Sequence, residues 1–422
     1  MDAESPKLVL RFAHNIVEHL GLKLYQNKPT NVLAELVSNS WDANASRVKI
    51  DIRSDDTGAP LAISVRDTGE GMSRALLAEH YLVVGKPKPR DKAEGAKRFP
   101  MGRKGIGKLA PFGIARTVDV LTVQENVLNW LRFDYHKMLQ ENEASQASEQ
   151  VNYEPEVIAS DVQLTTDLSA ELAGLGEESA VATAFLDEAA AKGAGTAIIC
   201  RDLTLRRPIN PKDVAQAMGR RFTVTLLRDD FKVEVNGEEV TEAVAFPKWF
   251  LRIPSSGFAE NRIVTEKGER VVRHWVGFVE EAAWASDQAG VGVYAHGKIA
   301  QDRPFNFANK GNEIFSRYMY GVVEADWVDE LEHDTISTDR TSIDWNDPDV
   351  LDLHAWGNAQ VRTWMSSYQS ARETKAREKN RAQVNATGLK LRDSEKEHLL
   401  DLLQEVTPRL PNDDGQHERL IG

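Results

Sequence analysis

Between residues 29 and 67 the hydrophobic period of the chain switches once, from helical to alternating, and no other feature restricts its possible folds as strongly. Over residues 29–45 the apolar side chains Val32, Leu33, Leu36 and Val37 recur at helical spacing, which predicts an amphipathic helix with Glu35, Asn39 and Asp42 on another stripe. RVKIDIR and LAISVRD then alternate apolar and charged residues across the turn DDTGAP, so they read as neighbouring antiparallel strands. Downstream, KLAPFGIA reads as helical and TVDVLTVQ and VLNWLRFDY read as strands. The class is therefore α+β, with one sheet carrying helices on one face.

At 422 residues and 41% hydrophobic content, the chain has room for two or three packed domains and is too polar for a membrane protein. No apolar run reaches eighteen residues, and MDAESPKLVL lacks the basic-then-apolar order of a secretion signal, so the expected compartment is the cytoplasm, with no membrane partner. Cys200 is the single cysteine, which excludes an internal disulfide and a cysteine-based zinc site; its apolar context TAIIC marks it as core. A net charge of −13 argues against general coating of nucleic acid but leaves room for a local basic patch. Residues 85–108 supply one, with nine lysines and arginines against Asp91 and Glu94 in glycine- and proline-rich text that reads as a mobile loop.

Residues 137–192 carry twelve acidic side chains and two lysines and read as an insertion that nucleotide binding does not need. The sheet resumes at GTAIICRDL, and a second unit is expected after the helix PKDVAQAMGRRF. There TVTLL, FKVEVNG, VVRHWVGFVEE, VGVYAHGKIA and YMYGVVEADW are strand-like, while DPDVLDLHAWGNAQVRTWM is a helix with proline in its first turn. The remainder is charged and helical.

Three separated segments carry chemistry. In Glu35-x-x-x-Asn39-x-x-Asp42, spacings of four and three place three polar groups on one helical face. Asp67-x-Gly69-x-Gly71 ends a strand, where an ionised carboxylate offers only acceptors and the glycines allow close approach. Gly102-Arg103-Lys104-Gly105-Ile106-Gly107-Lys108 runs into a helix, so its exposed amides and the helix N-terminus suit a triphosphate. The Walker register is absent. Each segment alone reads equally as a solvated helix face, an ordinary turn or a surface loop.

Together, ELVSNSWDA, RDTGEGM, GRKGIGK and the later Gly195-Thr196 resemble, in order, the N box, two glycine boxes and final G-T box of the GHKL family, which includes DNA gyrase, the heat-shock chaperone, histidine kinases and MutL. The resemblance implies a Bergerat-type ATP-binding α/β sandwich at 1–210, holding the acidic insertion at 137–192. It extends to a transducer-like α/β domain at 211–370, carried by GVGVYAHGKIA, YGVVEADW and DTISTDRTSIDW, with a charged helical tail at 371–422. The arrangement looks closest to MORC-like or chaperone-like ATPases.

The same resemblance implies roles. Glu35 becomes the general base for water, and Asn39 a magnesium ligand through its amide oxygen. The nucleotide-binding set becomes Asn39, Asp42, Asp67, Gly69, Gly71, Met72, Gly102, Gly105, Ile106, Gly107, Lys108 and Thr196. Within it Asp67 accepts from the adenine amine beside Thr196, Gly105, Gly107 and Lys108 hold phosphate oxygens, and Asp42 buttresses the site. Arg340 in the second domain is the expected catalytic cation on the terminal phosphate, with Lys298 and Lys310 as competitors and an ion pair to Asp334 or Asp339 as its structural alternative. The expected ligands are ATP and Mg2+, and the expected partners are a second copy in an ATP-dependent homodimer and a DNA or protein client. Two rivals stay open: a histidine-kinase-like phosphotransferase, for which His14 or His19 would have to accept phosphate, and a nucleotide-gated interaction module with negligible turnover.

Overall fold

A computed structural model describes residues 10–12, 25–84, 98, 100–101, 107–138, 151–165, 180–205, 207–226, 228–281, 284–285, 287–309, 316–337, 341–386 and 392–406. The chain divides into two compact units, Met1–Pro247 with His296–Lys298, and Lys248–Ala295 with Ile299–Gly422.

In the first unit, strand β1 (Leu10–Phe12) is followed by helix α1 (Pro29–Asp42), which opens on a proline whose missing N–H costs nothing in a first turn. Strands β2 (Arg47–Ser54) and β3 (Pro60–Asp67) pair antiparallel as the alternation predicts, with Ile50 opposite Val65 and Val48 opposite Asp67. Asp55 closes their turn by accepting from the Thr57 and Ala59 amides at 2.8 and 2.9 Å. KLAPFGIA forms a 3-10 helix, Gly107–Gly113, with Pro111 inside it. Strands β4 (Ala115–Gln124), β5 (Val127–Asp134), β6 (Val151–Tyr153) and β7 (Glu156–Gln163) follow, then helix α2 (Ala180–Lys192), strand β8 (Gly195–Leu203), helix α3 (Pro211–Arg221) and strands β9 (Lys232–Val235) and β10 (Glu238–Glu239).

Eight of these strands make one sheet in the order β10-β9-β2-β3-β8-β4-β5-β7, and β1 pairs with β6 separately. On one face Ile50, Val65, Val120, Ile198 and Cys200 pack against Val32, Leu33, Leu36 and Val37 of α1 and Val214 and Met218 of α3. Burial pushes the Cys200 thiol up to about 12, as befits a core residue. On the other face Leu121, Val123, Leu128, Trp130, Ala197 and Ile199 pack against Ala182, Phe185, Leu186 and Ala189 of α2.

Four expectations change here. The sheet carries helices on both faces, because alternate residues of β4, β5 and β8 are apolar in both directions. Residues 137–192, expected as an insertion, supply β6, the sheet-edge strand β7 and the covering helix α2. TVTLL, expected as a strand, begins as the helical turn Thr223–Leu226, with Thr223 Oγ1 donating to the Arg220 carbonyl at 2.7 Å. Residues 211–247, expected in the second domain, group with the first unit because β9 runs parallel to β2, Val48 opposite Val233.

The second unit contains strands β11 (Leu251–Ile253), β12 (Ala259–Thr265), β13 (Gly268–Phe278), β14 (Gly290–Ala295), β15 (Lys298–Gln301, whose first residue groups with the first unit) and β16 (Met319–Glu324) in the order β11-β13-β16-β14-β15, with β12 on β13. Helix α4 (Pro348–Ala386) covers it through Val350, Leu353, Val361, Trp364 and Tyr368, whose ring stacks on Phe278 with centroids 4.4 Å apart. Helix α5 (Asp393–Val406) meets α4 through Leu399, Leu400 and Val384. This is a mixed α+β architecture with a charged helical tail.

The covering role of α2 is testable. Phe185→Ala is expected to destabilise the first unit by about 3–5 kcal/mol, the usual result of emptying a buried aromatic site. Urea unfolding followed by circular dichroism measures this, and an unchanged midpoint would show that α2 contributes no packing.

Candidate functional site

Burial of the apolar stripe of α1 fixes the opposite stripe, so Glu35, Asn39 and Asp42 lie partly accessible along one edge. Their engagements differ. Gly107 passes so close to Glu35 that a Cβ on it would fall 2.7 Å from Glu35 Oε2. Burial first, and the Glu35 charge second, push the Tyr25 hydroxyl far above its ordinary value, so Tyr25 stays a neutral phenol near the carboxylate. Asp42 Oδ1 accepts from the Met101 amide at 2.5 Å, which fastens the residue before Gly102 to α1. Asn39 keeps its carboxamide on the accessible stripe between them, an oxygen of the type that hard divalent cations accept.

Asp67 ends β3 opposite Thr196 of β8. Its Oδ2 accepts from Ser40 Oγ of α1 at 2.8 Å, and its Oδ1 accepts from the Gly69 amide at 2.8 Å. Burial raises its pKa above the ordinary carboxylate range, against the opposing pull of the Gly69 amide, the Ser40 hydroxyl, the Thr196 amide and the Lys192 ammonium. The glycines of this turn are required by contact. A Cβ on Gly69 would lie 2.8 Å from Asp67 Oδ1, and on Gly71, at φ +68°, it would lie 1.8 Å from the Val123 carbonyl oxygen. Next to them the Met72 amide donates to Thr122 Oγ1 at 2.8 Å, and Thr122 Oγ1 is 3.2 Å from Thr196 Oγ1. The structure thus brings Asp67, Gly69, Gly71, Met72 and Thr196 together around one carboxylate.

The third segment is described only at its end. Gly102, Arg103, Lys104, Gly105 and Ile106 lie outside the described residues, as do His14, His19, Lys310, Asp339 and Arg340. Lys108 is described and is engaged with main chain, its Nζ donating to the carbonyls of His80 and Val83 at 2.9 and 2.8 Å. Arg98, which reads from sequence as a loop charge, is buried: its guanidinium lies 4.3 Å from the Trp41 ring centroid and donates to the Ala45 carbonyl at 2.7 Å. Lys298 Nζ donates to the Met101 carbonyl at 2.9 Å, both residues belonging to the first unit.

Ser40, Thr122 and Lys192 were not legible as site residues. Ser40 offers one signal, a hydroxyl one position past Asn39 on a face that is otherwise core. Thr122 sits mid-strand and Lys192 at a helix end, where neither stands out. A further cluster in the second unit, His333, Asp347 and Asp349, has ligand-like chemistry. Asp347 Oδ1, however, caps α4 by accepting from the Asp349 amide at 2.9 Å, and Lys267 Nζ lies 2.6 Å from Asp349 Oδ2, so helix capping and ion pairing account for it.

Residues 27–165 match the family described as histidine kinase-, DNA gyrase B- and HSP90-like ATPase. Over 403 residues, 90% of this chain, the sequence is 29% identical to HgiDII of Herpetosiphon aurantiacus, a candidate type II restriction enzyme. A stretch of 51 residues is 49% identical to the DNA mismatch repair protein MutL of Shewanella amazonensis. The chain spans 59% of the length of the first relative, and the match covers 7% of the second.

The part-buried Asp67 carboxylate carries a pH signature. Because its folded pKa is raised, Asp67 contributes most favourably below its unfolded value near 3.8, and stability falls as pH rises through the folded pKa. Asp67→Asn keeps an acceptor for the Gly69 amide, and Ser40 Oγ can still donate to the Leu36 carbonyl, 3.1 Å away. Asp67→Asn is therefore expected to melt above wild type at pH 7.5, with the difference closing at pH 4. Equal melting temperatures at both values would show that the carboxyl is not strained by burial.

Proposed function

We propose that the chain, whose residues 27–165 match the histidine kinase-, DNA gyrase B- and HSP90-like (GHKL) ATPase family, is a magnesium-dependent ATP hydrolase whose ATP-bound state closes a homodimer around a client. The observation that carries this reading is the part-buried Asp67 carboxylate, held by Ser40, Gly69 and Thr196 at the end of β3. Ionised, it accepts hydrogen bonds only, which suits the exocyclic amine of adenine. Gly69, Gly71, Met72 and Thr196 form the base side of the pocket.

The phosphate side is assigned to the amides of Gly102, Gly105, Ile106 and Gly107, with Asn39 offering its amide oxygen to Mg2+. When bound, magnesium would offset phosphate charge. Glu35, against the Gly107 backbone, is placed to orient a water and take its proton. Asp42 acts on this machinery through Met101. Lys108, expected on phosphate, is reassigned to positioning, because its ammonium already secures the His80 and Val83 carbonyls. Arg340 remains a candidate for the cation at the terminal phosphate, but Lys298 is favoured by its hydrogen bond to Met101, next to Gly102. A fixed cation there would stabilise transition-state charge and register the γ-phosphate.

DNA is the favoured client. The names of the two relatives, a candidate restriction enzyme and a mismatch repair protein, support it, and so does the basic stretch at residues 85–108. Such a clamp would close on DNA through counterion-releasing contacts, making its affinity steeply salt-dependent.

Glu35→Ala is expected to bind ATP with near-normal affinity and to slow hydrolysis about a hundredfold, the usual contribution of a positioned base. Phosphate release beside equilibrium binding measures both. Parallel loss of binding and turnover would make Glu35 structural, and background turnover in the wild type would favour a nucleotide-gated module without hydrolysis. In the same assays Lys298→Ala is expected to lose turnover while keeping ATP affinity; wild-type turnover there with loss in Arg340→Ala would return the role to Arg340.

A further inference from the structure

Helix α2 reaches the strand end that bears Asp67 through two side chains one turn apart, Glu188 and Lys192. Glu188 Oε1 accepts from Arg66 Nη1 at 2.9 Å and from Lys49 Nζ at 3.0 Å, and Arg66 is also paired with Asp51 at 2.7 Å. Lys192 Nζ donates to the Thr68 carbonyl. Thr68 is further fixed by its Oγ1, which accepts from the Ser46 and Arg47 amides at 3.1 and 3.0 Å. The two residues flanking Asp67 are thus held by α2, while Asp67 itself turns toward Ser40 of α1.

The charged surroundings of Asp67 single out one cation. On its own strand Arg66 is occupied by Asp51 and Glu188, and in its own turn Glu70 accepts from Asn44 Nδ2 at 2.6 Å. From α1, Ser40 is the direct partner, with Glu35 against Gly107 and Asp42 bonded to Met101. β8 and β4 contribute the neutral Thr196 and Thr122. Among the described residues, Lys192 of α2 is the cation whose field acts on the carboxylate.

We propose that Lys192 is a positioning residue for base selection: anchored on the Thr68 carbonyl, its ammonium holds the Asp67-Thr68-Gly69 turn and favours the ionised carboxylate, so that the pocket takes a 6-amino rather than a 6-keto purine nucleotide. The inference rests on the reading of Asp67 as the base acceptor. Its chemistry is a matter of donor count. An ionised carboxylate accepts from the 6-amine and repels a 6-keto oxygen, whereas a protonated carboxyl can donate to that oxygen. Burial favours the protonated form; the Gly69 amide, the Ser40 hydroxyl and the Thr196 amide oppose it, and Lys192 adds the opposing charge.

The test uses the full chain as wild type, Lys192→Met, Lys192→Arg and Asp67→Asn. Affinities for non-hydrolysable ATP and GTP analogues are measured between pH 5.5 and 8.5. Since removal of the cation raises the carboxyl pKa, Lys192→Met should lose ATP-analogue affinity from a higher pH downward than wild type does. Its preference over the GTP analogue should drop about tenfold on the acid side, the scale of one charge-assisted hydrogen bond. Lys192→Arg should restore both. A wild-type pH profile and preference in Lys192→Met, with the preference lost in Asp67→Asn, would overturn the role of Lys192 alone. Equal losses at every pH in Lys192→Met and Lys192→Arg would reduce it to a strand clamp and overturn the proposal as well. Full retention of the preference in Asp67→Asn would remove the base-pocket reading itself.

Discussion

The hydrogen bonding of the Asp67 carboxylate is the constraint around which the first unit is organised. A carboxylate below the surface is costly unless donors meet it, and here those donors come from three directions: the Ser40 hydroxyl on α1, the Gly69 amide in its own turn and the Thr196 amide on β8. Each depends on a different packing decision. Ser40 arrives only if α1 lies across the sheet with its apolar stripe down, and Thr196 only if β8 inserts between β3 and β4. The strand order therefore places residue 196 beside residue 67. The neutral donors leave part of the burial cost unmet, and that residual strain fits a group whose final partner is a ligand.

Glycine in this molecule serves proximity more than mobility. Gly69 lies against Ala43, Gly71 against the Val123 carbonyl and Gly107 against the Glu35 carboxylate, each at a distance that any side chain would violate. From sequence, residues 85–108 read as a mobile loop because glycine, proline and lysine dominate them. The described part of that stretch carries tight contacts instead: Arg98 stacked on Trp41, Met101 bonded to Asp42, and Gly107 on Glu35. Composition reports backbone freedom, and only the three-dimensional neighbours say how that freedom is used.

What was legible follows the clarity of the hydrophobic pattern. α1, β2, β3, β4, β5 and β8 have clean periods and lie where the pattern puts them, and the E-x-x-x-N and D-x-G-x-G segments mark their own polar edge. The stretch from β6 to α2 was misread because its signal is diluted. EVIASDVQ forms an edge strand with little burial, and α2 is largely alanine, whose packing depends on Phe185 and Leu186 while Asp187 and Glu188 face outward. The described acidic residues of the stretch, Glu154, Glu156, Asp161, Asp187 and Glu188, are all exposed and mark its solvent face, not its core. TVTLL failed for another reason: β-branched residues favour strands, but Thr223 and Thr225 satisfy their hydroxyls on the carbonyls of Arg220 and Phe222, which suits a helical turn after α3. Ser40, Thr122 and Lys192 are visible only once β3, β4, β8, α1 and α2 are assembled, because their partners lie far away in sequence.

The two fixed points of the glycine-rich segment have a mechanical consequence. Met101 is bonded to Asp42 and Gly107 rests on Glu35, so residues 102–106 are bracketed by two contacts on one helix, seven residues apart. Seven residues of α-helix span about 10 Å. That helix cannot shorten, since its other face is interlocked with the sheet through Val32, Leu33, Leu36 and Val37. Met101 and Gly107 thus both rest on the rigid helix that also bears the Glu35 carboxylate and the Asn39 amide. On the proposed reading, phosphate binding and water positioning would be coupled through α1 itself, with no separate element needed to carry the signal between them.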